Sequence, residues 1–380
     1  MSERASLQAV MKKCLDDYRS THSLTARQRQ VCRHVLTCRT PALGGFALEC
    51  DHCHDPVRLY HACRDRHCPR CQRQASEAWC ARERAAVLPV TYHHLVFTLP
   101  HALNGWIGRY PRELYGLLFE SVWATLSAFG ADPKRLGGQL GMTAVLHTWG
   151  EALTRHVHLH CLVPGGAFCA RGRWRSARST YLFPVRALSR HFRGGFVSRV
   201  RQAIERGELD PLGPAQIDPL LDELMSAEWN VYSKPCLGRT ETVVDYLGRY
   251  THRIGLSDQR LHALDDGHVR LDCKDYRDGG ARKSLRLAGE ELIRRFLLHV
   301  LPTGFMRVRH FGFLANRCRA ERLAAPSGKP SRLRYKPRRP RTTLSPRQDR
   351  STGTRARSAG RADCASSPSS SPNVSTEGND

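Results

Sequence analysis

Apolar residues recur at helical spacing through residues 1–37, a stretch without proline or glycine, and predict one or two helices. Further helices are expected at Ala75–Leu88, stopped by Pro89, at Glu113–Phe129, at Glu241–Tyr250 and at Gly289–His299. Runs rich in β-branched and aromatic residues predict strands at Thr91–Leu99, Trp229–Ser233 and Phe305–Arg309. Met142–Trp149 and His156–Val163 read as two strands of a hairpin joined by a short polar link. Arg260–Leu264 and His268–Cys273 read as a second hairpin around Asp265-Asp266-Gly267. Strands and helices do not alternate regularly. An α+β domain on an antiparallel sheet is therefore expected rather than a doubly wound parallel sheet.

After about residue 320 apolar residues almost vanish. The chain turns to Arg, Lys and Pro and then to Ser, Gly, Asp and Asn. Such a segment cannot bury enough surface to offset its ordering entropy and is expected to be disordered. Three regions follow: 1–75, helices plus a cysteine-rich module; 76–320, a mixed domain; and 321–380, a basic, then Ser-rich, tail. At 380 residues and 41% hydrophobic composition the chain can bury a sizeable core. No run approaching a membrane span is apparent, and the N-terminus lacks the apolar core of a signal peptide, so a cytoplasmic protein is expected. The 60 Lys and Arg outnumber the 35 Asp and Glu, a net charge of +25 that calls for a polyanionic partner, nucleic acid first. The basic part of the tail is expected to add salt-dependent, sequence-blind affinity.

Eight of the 15 cysteines fall between Cys32 and Cys80. Cys50-Asp-His-Cys53 and Cys68-Pro-Arg-Cys71 are two C-x-x-C pairs, which without a secretion signal read as metal ligands rather than disulfides. Each pair forms a tight turn aiming two sulfurs at one point, and four thiolates close a tetrahedral structural Zn2+ site. Cys63 is a rival ligand, and Cys38 is surplus to that set. Arg64, Arg66 and Arg70, among the cysteines, are candidates for phosphate contact.

His156, His158 and His160 alternate with Val157, Leu159 and Cys161. On a strand the three imidazoles share one face and the apolar residues the other, so the histidine face can hold a metal ion while the opposite face anchors in a core. His156, His147 on the preceding strand and Glu151 at the hairpin end are alternatives for a third ligand beside His158 and His160. Tyr246 and Tyr250 stand four residues apart on one face of the expected helix. A tyrosine can act as a nucleophile, and Arg249, His252 and Arg253 can neutralise a phosphate beside it.

A His-hydrophobic-His strand followed by Tyr-x3-Tyr on a later helix resembles the HUH endonuclease superfamily. The stretches CRTPALGGF (38–46), CDHC with HACRDRHCPRCQ (50–72), YHHLVFTLP (92–100), LHTWGE (146–151), HVHLHCLVPGG (156–166), DYLGRYTHRIGLS (245–257) and GFMRVRHFGFLANR (304–317) are similar, in order and spacing, to the zinc-binding rolling-circle insertion-sequence transposases. They cover most of residues 30–317. Relatives usually carry proline where this chain has Val157. The resemblance implies an antiparallel-sheet HUH domain preceded by a zinc-ribbon-like module. It implies that His158 and His160 bind Mg2+ or Mn2+ and that Tyr246 and Tyr250 are nucleophiles forming a 5′-phosphotyrosine. Single-stranded and hairpin DNA at the element ends is then the partner, with self-association and host replication machinery as further expectations. Arg307 and Arg309 join the DNA-contact candidates. The bacterial cytoplasm, at the nucleoid during action, is the expected location. Two other readings share features: a non-catalytic zinc-dependent DNA-binding protein, and a plasmid replication initiator or relaxase.

Overall fold

The computed structural model describes residues 5–317, apart from 85–86, 170–171, 178–180, 211–213, 237–243, 245–247, 249–254, 264–266 and 276–278. The expected tail therefore lies outside the described residues, as does most of the Glu241–Tyr250 helix.

Two capped helices open the chain. Ser6 accepts from the Ala9 amide ahead of α1 (Leu7–Thr21), and Thr25 and Gln28 form a reciprocal capping box at the start of α2 (Ala26–Thr37). An antiparallel ribbon, β1 (Gly45–Glu49) and β2 (Pro56–Tyr60), follows. Then comes α3 (Pro69–Arg84). This helix starts six residues before the expected Ala75, inside the cysteine-rich stretch, because Pro69 is preorganised for a first helical turn and its missing N–H costs nothing there.

The larger sheet has the order β12-β4-β5-β3-β8, antiparallel throughout. Its strands are β3 (Tyr92–Thr98), β4 (Gly141–Trp149), β5 (Arg155–Pro164), β8 (Val231–Cys236) and β12 (Val308–Gly312). β5, the histidine strand, lies at the centre. β8 carries Pro235, which an edge strand tolerates. The last strand lies three residues beyond the expected Phe305–Arg309. Phe305 instead packs in the core.

Between β3 and β4 lie α4 (Asn104–Arg109) and α5 (Pro111–Ala131). A small hairpin, β6 (Gly166–Phe168) and β7 (Trp174–Ser176), follows β5. It leads to two helices beyond those expected, α6 (Val185–Glu205) and α7 (Pro214–Ser226). α5 is long and apolar enough by composition to span a membrane, contrary to expectation. Its Leu114, Leu118, Phe119, Val122 and Leu126 are buried in the core.

The period of two along the strands sorts the sheet's faces. Leu95, Phe97, Leu146, Val157, Leu159, Cys161 and Val163 are buried against α5 and α6. The opposite face of the same three strands carries His94, His147, His158 and His160.

A three-stranded sheet, order β11-β10-β9, is built from β9 (Leu261–Ala263), β10 (His268–Asp275) and β11 (Ala281–Ala288) and followed by α8 (Gly289–Leu297). It shares a core with α1 and α2: Leu7, Met11, Val31, Leu261, Leu271, Leu292, Ile293 and Phe296 form one cluster. The Leu7 amide donates to Asp258, and the Gln28 side chain donates to the Leu297 carbonyl. Residues 5–38 thus complete their core with residues 256–297.

Candidate functional site

Two ligand clusters stand out among the described residues. The first joins Cys38, at the end of α2, to Cys63, Cys68 and Cys71, whose sulfurs all lie within 4.8 Å of one another. The Cys71 sulfur is 3.5 Å from that of Cys38 and 3.6 Å from that of Cys63. A tetrahedral zinc with Zn–S bonds of about 2.3 Å places its sulfurs about 3.8 Å apart, so the four thiols fit the ion. Hydrogen bonds from Cys63 and then Cys68 lower the Cys71 thiol, while the same thiol cluster leaves Cys63 and Cys68 raised, so the sulfur geometry is what fits the ion. The two C-x-x-C pairs are not brought together: Cys50 and Cys53 lie outside this cluster, where the β1–β2 ribbon turns, and Cys53 is exposed. The reason is the ribbon itself. Five paired residues on each side carry its tip away, while the backbone turn at Arg39 brings Cys38 back, Arg39 donating its amide to the His61 carbonyl.

Asp65, between the ligands, is buried. It accepts from the His67 amide at 2.8 Å, from His67 Nδ1 at 2.9 Å, from His34 Nδ1 at 2.8 Å and from Arg27 at 3.4 Å. Burial pushes its carboxyl up, but the His67 and His34 hydrogen bonds outweigh burial and leave it well below the usual carboxylate range. The Leu301 amide donates to His67, and Arg66 donates to the Phe305 and Pro302 carbonyls, so the cysteine loop is bolted to both cores. Asp65→Asn is expected to cost about 1–3 kcal/mol in urea unfolding at pH 7, the cost of buried donors left without an acceptor. Because the native carboxyl is depressed, this difference should persist above about pH 4 and shrink as pH falls further, because the unfolded chain's carboxyl then takes up a proton that the native one still refuses. A difference independent of pH down to 3 would refute the ionised state.

The second cluster is His147, His158 and His160, with ligand nitrogens within 4.8 Å of one another. Strand register explains it: His147 of β4 is directly opposite His158 of β5, and His160 is two residues along the same face. His158 Nδ1 donates to the His156 carbonyl at 2.9 Å, which leaves its Nε2 as the lone-pair nitrogen. Burial, and then the neighbouring His156, pulls the His158 imidazole down to about 4, and burial holds His160 well below its ordinary value. Neutral imidazoles in this arrangement fit a divalent cation. Of the alternatives for a third ligand, His147 joins the pair. His156 lies outside the group, its ring tilted against that of His101 with centroids 5.5 Å apart, and Glu151 pairs with Arg260 at 3.6 Å.

The basic candidates divide. Arg64 and Arg70 are exposed. Arg66 is committed to the carbonyls above. Arg307 is buried at 8% exposure, which lowers its guanidinium to about 10; it is not a surface contact, because it sits on the strand approach where Leu146 donates to its carbonyl. Arg309 lies over the Phe119 ring at 4.2 Å. Tyr246, Tyr250, Arg249 and Arg253 lie outside the described residues. Val244 and Gly248, two residues either side of Tyr246, are described. Val244 is buried with Val145 and Leu162 of the histidine-bearing face and with Trp79 and Cys80 of α3, and Gly248 accepts from Ser76 of α3 at 2.6 Å.

Comparison with known proteins gives the family. A family model described as "Putative transposase" matches residues 141–322, and one described as "Transposase zinc-binding domain" matches residues 10–99. A Sinorhizobium fredii (strain NBRC 101917 / NGR234) protein named "Putative transposase y4qJ" is 43% identical over 324 residues, 83% of this chain and 81% of its own length. The chain belongs to the IS91 transposase family. The "Transposase for insertion sequence element IS801" of Pseudomonas savastanoi pv. phaseolicola is 29% identical over 297 residues, 74% of the transposase described here and 69% of its own length. No solved structure matches the chain. The zinc-binding match takes in the whole cysteine cluster, which supports Zn2+, and the other match takes in the histidine cluster together with Tyr246 and Tyr250.

Proposed function

We propose that this transposase cleaves and rejoins single-stranded DNA at the ends of its element, by HUH-type chemistry with a tyrosine nucleophile. The observation that carries the reading is that the segment flanking Tyr246 packs, through Val244, on the sheet face bearing His147, His158 and His160. Those three histidines would hold Mg2+ or Mn2+, and a bound divalent cation supplies positive charge to the phosphate oxygens as the scissile bond stretches. Tyr246 or Tyr250 attacks phosphorus through its phenolic oxygen, the P–O3′ bond breaks, the 3′-oxygen leaves as a hydroxyl and the phenolic proton is lost to solvent or base. A 5′-phosphotyrosine results. It conserves the phosphodiester energy, so rejoining a 3′-hydroxyl needs no nucleotide cofactor. Cys38, Cys63, Cys68 and Cys71 hold the structural zinc, and exposed Arg64 and Arg70 beside it contact the strand's phosphates.

The test uses the full chain, labelled single strands carrying the element ends, and Mn2+. A covalent protein–DNA adduct is expected. Tyr246→Phe with Tyr250→Phe should abolish it, while each single change should leave one cleavage. An adduct that survives the double change overturns the nucleophile assignment. DNA binding without any adduct would instead indicate the non-catalytic zinc-dependent DNA-binding protein.

A further inference from the structure

One strand over from the histidine pair, β3 contributes His94, buried at 5% exposure. His94 is opposite Leu162 and Val96 is opposite His160, so His94 sits diagonally from His160 on the same face. The two rings lie nearly parallel, 9° apart with centroids at 5.0 Å, and His94 Nε2 is 2.8 Å from His160 Nδ1. The Tyr232 ring of β8 packs edge-on against His94 from the far side, with centroids 6.4 Å apart. Sheet pairing on both flanks fixes the β3 backbone, so His94 cannot drift from His160 without breaking strand pairing.

We infer that His94 is a positioning residue for the metal site: its Nε2 accepts the Nδ1 proton of His160, and this fixes His160 in the tautomer whose Nε2 lone pair faces His147 and His158. The inference rests on the metal reading proposed above. Its logic is that an imidazole has one proton to place when neutral, and the nitrogen that donates is not the nitrogen that ligates. The His156 carbonyl performs the same service for His158. In one case a backbone oxygen orients the ligand, in the other a fourth histidine. Loss of such an orienting partner typically lowers metal affinity about 10–100-fold.

The experiment is Mn2+ titration of the zinc-loaded full chain, read by electron paramagnetic resonance without DNA, alongside imidazole nitrogen shifts of histidine-labelled, manganese-free protein. His94→Phe should weaken Mn2+ binding about 10–100-fold and let His160 populate its Nε2-protonated tautomer. His94→Gln, whose amide oxygen can accept the same proton, should recover most of the affinity. Zinc content and melting temperature report whether each variant is folded. Wild-type affinity and tautomer in a folded His94→Phe overturn the inference while leaving the metal site standing, provided His158→Ala abolishes binding. If wild-type protein binds no Mn2+, both the inference and the metal reading fall. Equal loss in the Phe and Gln variants, with the His160 tautomer unchanged, also overturns it, because His94 would then serve packing alone.

Discussion

His158→Ala is expected to lower covalent adduct formation on single-stranded ends by at least about 10²–10³-fold, with the fold and the zinc content retained. The magnitude is that of losing a preorganised group that stabilises developing charge in the transition state. His158 is the middle member of its cluster, opposite His147 across the strand pair and two residues from His160. Its removal therefore leaves two imidazoles that no longer surround a point. The fold should survive because the residues that anchor β5, Val157, Leu159 and Cys161, face the other way into the core. Steady-state adduct yield over a Mn2+ series checks this, with His158→Gln as a companion of similar size. Saturating Mn2+ should not rescue either variant. A His158→Ala enzyme that nicks at the wild-type rate would remove the histidine cluster from the chemistry.

Cys68→Ser and Cys50→Ser should separate completely. Cys68→Ser is expected to purify without its zinc and without a cooperative unfolding transition for the N-terminal core, whereas Cys50→Ser should keep one zinc per chain and melt near wild type. Structural zinc in small modules binds with an apparent free energy of about 10–16 kcal/mol, comparable to the whole stability of a typical domain of about 5–15 kcal/mol. Cys68 is fully buried, between Cys63 and Cys71 in a cluster that ties the end of α2 to the start of α3. Cys50 is on a ribbon turn outside it. Metal analysis and thermal melts of the two variants decide the matter. Loss of zinc from Cys50→Ser would restore the two C-x-x-C pairs as the ligand set.

Local pattern carried much of this architecture. The period of two along 156–163 announced both the buried and the histidine faces of β5, and the antiparallel sheet followed from the absence of strand–helix alternation. Cys38 was harder to read. Spacing favours ligands that come in pairs, and the contribution of Cys38 depends on a turn at Arg39, in the left-handed region at φ 56°, that doubles the chain back toward His61. The role of His147 needed cross-strand register, which hydrophobic periodicity does not encode. Arg307 looked like one more cation in a basic run. Only the packing of β12 beside β4 and against Phe305 reveals it as buried. His94 lay unread within a strand-like stretch, because its partner is 66 residues away. The helices α6 and α7 hide behind local breakers: their buried residues recur at helical spacing (Leu188, Phe192, Phe196 and Val200; Leu221 and Leu224), but Gly194-Gly195 interrupts α6 and Pro219 stands inside α7, and packing on the core overrides both.

The shared core of α1, α2, β9–β11 and α8 bears on how the protein is made. The Leu7 amide and the Asp258 carboxylate that caps it are 251 residues apart in sequence. On a ribosome the first two helices emerge early but cannot cover their apolar stripes until residues 256–297 have been synthesised. Contacts of such sequence separation form late and leave nascent surfaces open to chaperones and proteases. An element copy interrupted by a premature stop codon before about residue 256 would therefore yield a polypeptide whose amino-terminal helices have nothing to fold onto. Protein quality control would clear it, rather than leaving a zinc-bearing fragment to compete for the element's ends.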